Sequence, residues 1–326
     1  MKPTTTCFNG VSIALLLLPW AGCAQRSGGQ IQPARTVARQ TPTSLLGRPL
    51  HALPPDADRE KLQSQLAAAE ADLSAHPGDP AKIVWVARRL GYLWRIEEAI
   101  EVYSKGLKDH PDYAPLLRHR GHRYITLRRF DKAVADLERA AELIEGKPEE
   151  VEQDGMPNAR NIALTTTAFN VWYHLGLARY LRGEFGLAVP CFQTAMKLGR
   201  GYDDNLVATT HWLYMSLVRL GRDSEAAALL EPISPGMEII ENDSYHRCLL
   251  VHKGLLEPST ALDVPATSGV DLATVGYGVG FRYLYTGRPA TAQETFERVV
   301  AGPTWPAFGF IASEVEIFRS RQAKHK

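Results

Sequence analysis

Residues 171–192, VWYHLGLARYLRGEFGLAVPCF, bring a histidine, a glutamate and a cysteine into one short stretch. These side-chain types serve as proton donors, nucleophiles and metal ligands in enzymes. Glu184 and Cys191, however, share the helical register of the apolar residues around them, and nothing adjacent in sequence activates a thiol. The pattern therefore predicts helix packing rather than a reactive site.

Other candidate reactive groups are also incomplete. His119 and His122 lie three positions apart on one predicted helix face, but no carboxylate or thiol completes a metal site. The run GYGVG at 276–280 lacks the lysine and the serine or threonine of a phosphate-binding loop, and its last glycine suits close helix packing. We predict no catalytic residue, no metal and no cofactor. An enzyme that uses His122, His211 and an acidic segment stays an alternative.

Length and charge narrow the class of protein. The chain has 326 residues, of which 45% are hydrophobic and 22% charged, and this is enough for a buried core. Its net charge of +1 lacks the basic excess that a nucleic-acid-binding face usually carries. We therefore expect no nucleic acid among its partners.

The N-terminus has the features of an export signal. The apolar run of residues 11–18 is too short to span a bilayer as a permanent helix. The PWAGC that follows resembles the lipobox of bacterial lipoproteins, although Trp20 stands where leucine is usual. The resemblance implies a signal peptide at 1–22, a lipid on Cys23 and an outer-membrane location facing the periplasm. Cleavage without a lipid, which would give a soluble periplasmic or secreted protein, and an uncleaved or cytoplasmic chain stay open.

Residues 23–56 are rich in Gly, Pro, Gln, Ser and Thr and show no apolar period, so we expect a disordered tether. Beyond it, Cys191 and Cys248 both sit in helical apolar patterns, where a lone cysteine usually acts as a small hydrophobe. Whether the two form a disulfide stays open.

A repeated pattern runs through residues 57–320. Trp172, Gly176, Ala188 and Phe192 alternate large and small side chains at fixed spacing. The matching positions of the preceding copy are Leu117, Gly121, Ala133 and Leu137, and this copy also carries Tyr124, Phe130 and Ala140. These spacings resemble the tetratricopeptide repeat (TPR). The resemblance implies an all-α fold, a TPR-type superhelix that is a right-handed solenoid of antiparallel helix pairs.

The copies fall near 80–113, 114–147, 169–202, 207–240 and 273–306, and a capping helix with a charged outer face is predicted at 306–320. Two segments interrupt the repeats. The first, residues 145–168, carries five acidic residues against one lysine and is either a lid over a groove or a solvated connector. The second runs from about 231 to 271 and contains one predicted helix.

In TPR proteins, the first helix of each pair lines a concave groove that binds peptides. Carried over position by position, this resemblance gives twelve groove candidates. They are Arg88, Tyr92, Arg118, His122, Asn170, Tyr173, Tyr180, His211, Met215, Tyr277, Phe281 and Tyr285. The set is aromatic with some positive charge, which suits recognition of a peptide. The alternative for each aromatic residue is the core between helices.

The sequence thus favours a non-catalytic adaptor that binds a protein or peptide in its groove at the bacterial cell envelope, with the N-terminal lipid in the membrane. A small-ligand or glycan-binding lipoprotein is an alternative, because aromatic grooves also stack sugar rings. The sequence names neither the partner nor the oligomeric state.

Overall fold

The computed structural model describes residues 41–50, 56–199, 201–263 and 269–324. Within these ranges the chain is helical and has no strand longer than an isolated bridge, so the expected all-α fold is confirmed. None of the described helices is long and apolar enough to cross a membrane. The predicted signal peptide at 1–22 and the lipid site Cys23 lie outside the described residues.

Fourteen helices follow one another along the described chain. They are α1 Asp56–Ala75, α2 Pro80–Tyr92, α3 Ile96–Asp109, α4 Ala114–Thr126, α5 Phe130–Ile144, α6 Thr167–Arg182, α7 Phe185–Lys197, α8 Asp203–Arg219, α9 Asp223–Leu229, α10 Asp243–Lys253, α11 Pro258–Ala261, α12 Gly269–Tyr285, α13 Pro289–Ala301 and α14 Phe308–Lys324. Five TPR-type pairs, α2–α3, α4–α5, α6–α7, α8–α9 and α12–α13, pack in contact within each pair. The predicted solenoid of helix pairs is confirmed.

The small residues of the repeat let the two helices of a pair approach closely. A Cβ atom on Gly121 would lie 2.7 Å from Leu137, and one on Gly176 would lie 2.7 Å from Phe192. In both pairs the glycine and its large neighbour are sixteen positions apart, and Gly280 meets Phe296 with the same spacing. The repeat pattern therefore encodes a constant packing register between the two helices of a pair. The same contact shows that GYGVG is a packing motif within α12 and not a phosphate loop.

The turns inside the pairs share a left-handed residue. Gly183 and Gly287 occupy it with φ of 87° and 76°, which costs glycine little. The first two pairs place Trp94 and Arg128 there, both with φ of 59°. A side chain in this conformation costs about 1–2 kcal/mol, so contacts elsewhere must offset the strain.

The C-terminal helix supplies those contacts. α14 packs on α12 and α13, as a capping helix should. It also faces the second pair, because the Arg128 guanidinium binds the Glu314 carboxylate at 2.7 Å. Trp305, in the loop before α14, lies edge-on to the Trp94 ring at 5.8 Å. Glu314 is 1% exposed. The prediction of a charged, solvated outer face is therefore wrong, since the carboxylate on that face is buried against a facing arginine.

Residues 41–50, inside the predicted tether, pack against the helices. Leu50 is 5% exposed and belongs to the main core, and the Arg48 guanidinium donates a 2.8 Å hydrogen bond to the carbonyl of Val300. The disordered-tether prediction is wrong for these ten residues, because a tight turn with Gly47 at φ 78° folds their apolar side chains onto the core.

The fourth repeat and the following insertion depart from the pattern. The second helix of this pair, α9, ends at Leu229, whereas the predicted repeat extends to residue 240. Residues 230–242 then run without a helix to α10, and α10 packs between α8 and α12. Cys248 of α10 and Cys191 of α7 are both free and buried, so they do not pair.

Candidate functional site

A polar cavity of about 230 Å³ lies against the first helices of pairs one, two and three. Its lining combines five of the twelve predicted groove residues with residues from the two insertions. The predicted ones are Arg88, Tyr92, Arg118, His122 and Asn170, and the others include Tyr103, His119, Arg123, Glu152, Asp154, Leu164, Thr165, His174 and Glu241. We call this cavity the inner pocket.

Helical spacing explains why these residues meet. Arg88 and Tyr92 on α2 are four positions apart, as are Arg118 and His122 on α4, so each couple shares one face of its helix. Within the first couple, the guanidinium donates to the Tyr92 hydroxyl at 3.2 Å. Adjacent first helices of a solenoid lie side by side, so the faces form one wall.

The acidic insertion lies over this wall. The Glu152 carboxylate pairs with the Arg118 guanidinium at 2.9 Å, and both side chains are nearly buried. Arg88 donates to the carbonyl of Gln153 at 2.9 Å, and Arg89 donates to the carbonyl of Gly155 at 2.6 Å. Residues 152–155 are therefore held as an extended segment by three arginines. We call residues 149–156 the lid. The structure contradicts a solvated connector at Glu152 and Gly155, whereas residues 145–151 are exposed to solvent.

One glycine sets how closely the lid approaches. A Cβ atom on Gly155 would lie 2.1 Å from the Tyr92 hydroxyl oxygen and 2.7 Å from the ring. Because these contacts involve a ring fixed by Arg88, a larger residue at 155 would lift this end of the lid.

The base of the lid is joined to the second insertion. Val151 and Thr166 form an isolated antiparallel bridge at the base. Asn158 donates to Glu241 at 3.2 Å, and Arg160 forms an ion pair with Glu238. The two interruptions of the repeat pattern thus form one roof over the inner pocket.

A buried carboxylate holds the end of the second insertion next to the lid. Asp204, which is 0% exposed, accepts backbone hydrogen bonds from Ile240, Glu241 and Asn242 at 2.8–2.9 Å. Three charge-assisted bonds to one side chain hold this part of the roof rigid.

Three histidines behind the lid are neutral. His119 accepts from the Arg118 guanidinium at 2.7 Å through Nδ1, and His122 accepts from Arg123 at 2.8 Å through Nε2. His174 instead uses Nδ1 to donate to the carbonyl of Asn170 at 2.6 Å. Burial, together with the nearby charges, holds the pKa of all three well below 6.5. The positive charge of the pocket therefore belongs to its arginines.

Arg123 carries one of those charges without a carboxylate against it. Its guanidinium donates a 2.8 Å hydrogen bond to His122 Nε2, and it lines the inner pocket together with the neutral Tyr103 and with Tyr92. Burial lowers the pKa of Arg123. By contrast, the lid acid Asp154 has its pKa raised by burial, against the influence of Arg88 and Arg118. The inner pocket is therefore a basic surface whose acidic residues come from the lid and, through Glu241, from the second insertion.

The other predicted groove residues do not form an open surface. Six of them are at most 7% exposed and belong to the core, namely Tyr173, Tyr180, His211, Met215, Tyr277 and Phe281. The Tyr180 and Tyr277 hydroxyls bond each other at 2.5 Å, and the Trp212 indole donates to Tyr173 at 2.9 Å. The prediction of a continuous groove is wrong for these six, because the facing helices meet and bury them.

Tyr285, the last predicted residue, is 42% exposed and stacks on Phe281, away from the inner pocket. The sequence-based prediction did not include the pocket residues Arg123, Glu152 and Asp154, nor Arg89, which holds the lid. A run of adjacent arginines at 88–89 and the acidic excess of 145–168 were both visible, but their meeting depends on how the insertion folds back.

Among the described residues, no cluster of three or more His, Cys, Asp or Glu side chains is arranged to hold a metal. His122 lines the inner pocket, whereas His211 packs against Trp212 and Tyr245 on a different part of the array. The histidines invoked for an enzyme are therefore not brought to one site.

Comparisons with known proteins place the chain beside TPR structures of low similarity. No family model and no curated protein matches it. The solved structure of YrrB, "a TPR protein with an unusual peptide-binding site", is 18% identical, covers 72% of this chain and 91% of its own, and has a TM-score of 0.41. A tetratricopeptide repeat protein from Parabacteroides merdae is 14% identical over 80% and 94%, with a TM-score of 0.45. The P58(IPK) TPR domain is 12% identical over 82% and 96%, with a TM-score of 0.23. With all three TM-scores below 0.5, the TPR-type fold stands on the helix pairing and glycine packing above.

Proposed function

We propose that this protein is a non-catalytic adaptor that binds an extended acidic segment of a partner protein on the inner pocket. One observation carries the proposal. The arginines at this surface already hold an extended acidic segment, the chain's own lid, through two carbonyl oxygens and the Glu152 carboxylate. The lid therefore displays the chemistry that the surface selects.

The chemistry of these contacts suits a peptide in general. Carbonyl oxygens are present in every peptide, so Arg88 and Arg89 recognise an extended backbone whatever its sequence. Arg118 adds a demand for a carboxylate, because its charge is nearly buried and would be costly to leave unpaired. A partner segment with an acidic side chain at the matching position meets both requirements.

A partner segment must displace the lid from the inner pocket. A tethered segment competes at an effective concentration of roughly millimolar, so a free peptide binds weakly until the lid is released. The lid thus sets a threshold that favours a partner presented at high local concentration, such as a protein at the same membrane.

A lid-opening variant tests the proposal. Gly155→Leu should collide with Tyr92 and release the lid, while Ala159→Leu places the same side chain at an exposed position of the same insertion. The probe is a labelled peptide of residues 149–156, and its binding is measured by fluorescence anisotropy on the full chain. We expect at least about tenfold tighter binding to Gly155→Leu than to the wild type or to Ala159→Leu.

The charge requirement is tested in the same assay. Arg118→Gln in the Gly155→Leu background should remove binding of the peptide, and a peptide with Gln and Asn in place of its acids should not bind. Equal affinity of the wild type and Gly155→Leu, or binding that survives Arg118→Gln, would overturn the proposal. Capture of partners from envelope extracts with Gly155→Leu, compared with Arg118→Gln, then identifies the segment that binds.

We also propose that the protein is located at the bacterial cell envelope. A lipid on Cys23 would anchor it to the outer membrane, on the side that faces the periplasm. The support is the PWAGC motif after a short apolar run. Labelled palmitate should enter the wild type and not Cys23→Ser. Label in neither protein would refute the anchor.

The glycan-binding alternative loses its main support. It rested on aromatic rings in an open groove, and Tyr173, Tyr180, Tyr277 and Phe281 are buried. The inner pocket offers charge in place of stacking faces, so we retain the peptide proposal.

A further inference from the structure

A second cavity, of about 900 Å³, lies on the other side of the array from the inner pocket. It is bounded by α5, α6 and α7, and we call it the outer groove. Trp172 and Leu175 line it from α6, whereas Asn170 and His174 of the same helix line the inner pocket. At 3.6 residues per turn, the two couples point to roughly opposite sides of α6. The outer groove is therefore a separate surface.

The floor of the outer groove is apolar and partly open. Leu187, which is 53% exposed, and the exposed Pro190 lie on its α7 side, and the ring of Trp172 is only partly buried. Along α6, Ala168, Trp172, Leu175 and Arg179 follow a stripe of about 16 Å, which is the length of three helical turns. A groove of this length and lining suits a helix laid in with its apolar face down.

The opposite rim is acidic. Glu138, Glu142, Glu145 and Glu149 line it, spaced so that the first three follow one face of α5 and its end. Two cations, Lys147 and Arg179, also line the groove, and the second is already paired with Glu138. Glu142 is paired with Arg139 at 2.9 Å, so Glu145 and Glu149 against Lys147 leave the rim with one net negative charge.

The end of α5 makes this charge unfavourable in the isolated protein. A helix C-terminus carries a partial negative charge and is stabilised by basic residues, yet the last turn of α5 has none and is followed by Glu145. Glu142 lies in that turn, but it is already paired with Arg139, so the repulsion that remains is that of Glu145. A cationic partner would relieve it.

We infer that the outer groove binds an amphipathic helix of a partner protein, with apolar residues against Trp172 and Leu187 and lysine or arginine residues against Glu142 and Glu145. This inference is independent of the inner pocket. The combination of an apolar floor and an acidic rim selects a basic helix over an acidic or a purely apolar one.

The test uses a labelled 14-residue amphipathic helix of leucine and lysine against the full chain, followed by anisotropy. A peptide of the same composition in scrambled order controls for charge alone. We expect the ordered peptide to bind at least about tenfold more tightly than the scrambled one, because only the ordered one presents a continuous apolar face.

Matched variants place the peptide. Glu142→Gln with Glu145→Gln should weaken binding at least about fivefold, while Glu60→Gln with Glu70→Gln removes the same charge from exposed positions of α1 and should not. Leu187→Ser should weaken binding, and Leu255→Ser should not, although both leucines are 53% exposed. A photo-crosslinker on the peptide should label residues 138–149 or 187–198.

Three outcomes would overturn the inference. They are equal loss of binding in each variant and its control, crosslinks that fall outside the groove, and a wild-type dimer in sedimentation that Leu187→Ser converts to a monomer. The last outcome would assign the groove to a second copy of this chain. Failure here leaves the lid assay unaffected, since that assay reports only on the inner pocket.

Discussion

Arg128 and Glu314 are 186 positions apart in sequence and form an ion pair at 2.7 Å with side chains only 2% and 1% exposed. The pair joins the turn of the second helix pair to the last helix. Trp305 lies beside it, with its ring 5.8 Å from the guanidinium. Burial lowers the pKa of Arg128, and Glu314 opposes that effect. A buried ion pair thus holds the last helix of the described array against the turn of the second helix pair.

Removing one member of this pair should destabilise the protein strongly. Glu314→Gln leaves a buried guanidinium without a counter-charge, so we expect a loss of about 3–5 kcal/mol in the free energy of unfolding. Urea denaturation followed by circular dichroism measures it.

The matched control removes an exposed arginine. Arg139 pairs with Asp112 and Glu142 at the surface, and Arg139→Gln should cost at most about 1 kcal/mol. Equal effects of Glu314→Gln and Arg139→Gln would contradict the burial of the pair.

The packing register predicts the effect of filling a glycine. Gly176→Leu would push into Phe192, and we expect a destabilisation of about 1–3 kcal/mol. Gly186 in α7 has open space where a Cβ would lie, so Gly186→Ala should be neutral or stabilise by up to about 1 kcal/mol. Thermal unfolding of the two variants compares them directly, and an unchanged melting temperature of Gly176→Leu would refute the register.

Two buried histidines predict loss of stability in acid. His211 and His252 lie 6.2 Å apart between ring centroids, and neither has a hydrogen-bond partner for its ring nitrogens. Burial lowers the pKa of His252 to about 3 and that of His211 well below 6.5. The unfolded chain therefore binds these protons first, and stability is lost as the pH falls from about 6.5 toward 3.

Replacing one histidine isolates this contribution. His252 stacks on Tyr214 at 4.6 Å and faces Arg282, so His252→Phe keeps a ring in place and removes the titration. We expect the variant to be close to the wild type at pH 7 and about 2 kcal/mol less sensitive to a change to pH 4.5. The exposed His76→Phe serves as the control. A parallel pH dependence of His252→Phe and the wild type would contradict the burial of this ring.

The N-terminal segment should contribute to stability. Leu50→Ser removes a side chain that is 5% exposed from the main core, so we expect a loss of about 2–4 kcal/mol in the full chain. Leu46 of the same segment is only partly buried, and Leu46→Ser should cost less. Denaturant unfolding measures both losses. If Leu50→Ser has no effect on stability, the segment is a free tether and the packing described above is wrong.

The helix pairs were predictable because the repeat is local. Gly121 and Gly176 each find their partner sixteen positions later, within one hairpin, so the spacing alone fixes the contact. Arg88 and Tyr92 were placed on one wall for the same reason, since four positions correspond to about one helical turn.

The closed part of the groove was not predictable in this way. Tyr180 meets Tyr277 and Arg128 meets Glu314 across 97 and 186 positions, and such contacts depend on the accumulated curvature of the whole array. The lid was visible in the sequence as an acidic insertion. Its position on the wall, however, depends on the contact between Tyr92 and Gly155, which no local spacing encodes.

The strained turns at Trp94 and Arg128 have a consequence for folding. An open solenoid unfolds from its ends, because each repeat contacts only its neighbours. Here the turn of the second pair binds the final helix through Arg128, and the turn of the first pair packs on Trp305 just before that helix. Fraying at the C-terminus must therefore also release the N-terminal pairs. Amide hydrogens of α4 and α14 should therefore exchange with solvent through one shared opening event, and the repeats should melt as a single cooperative unit.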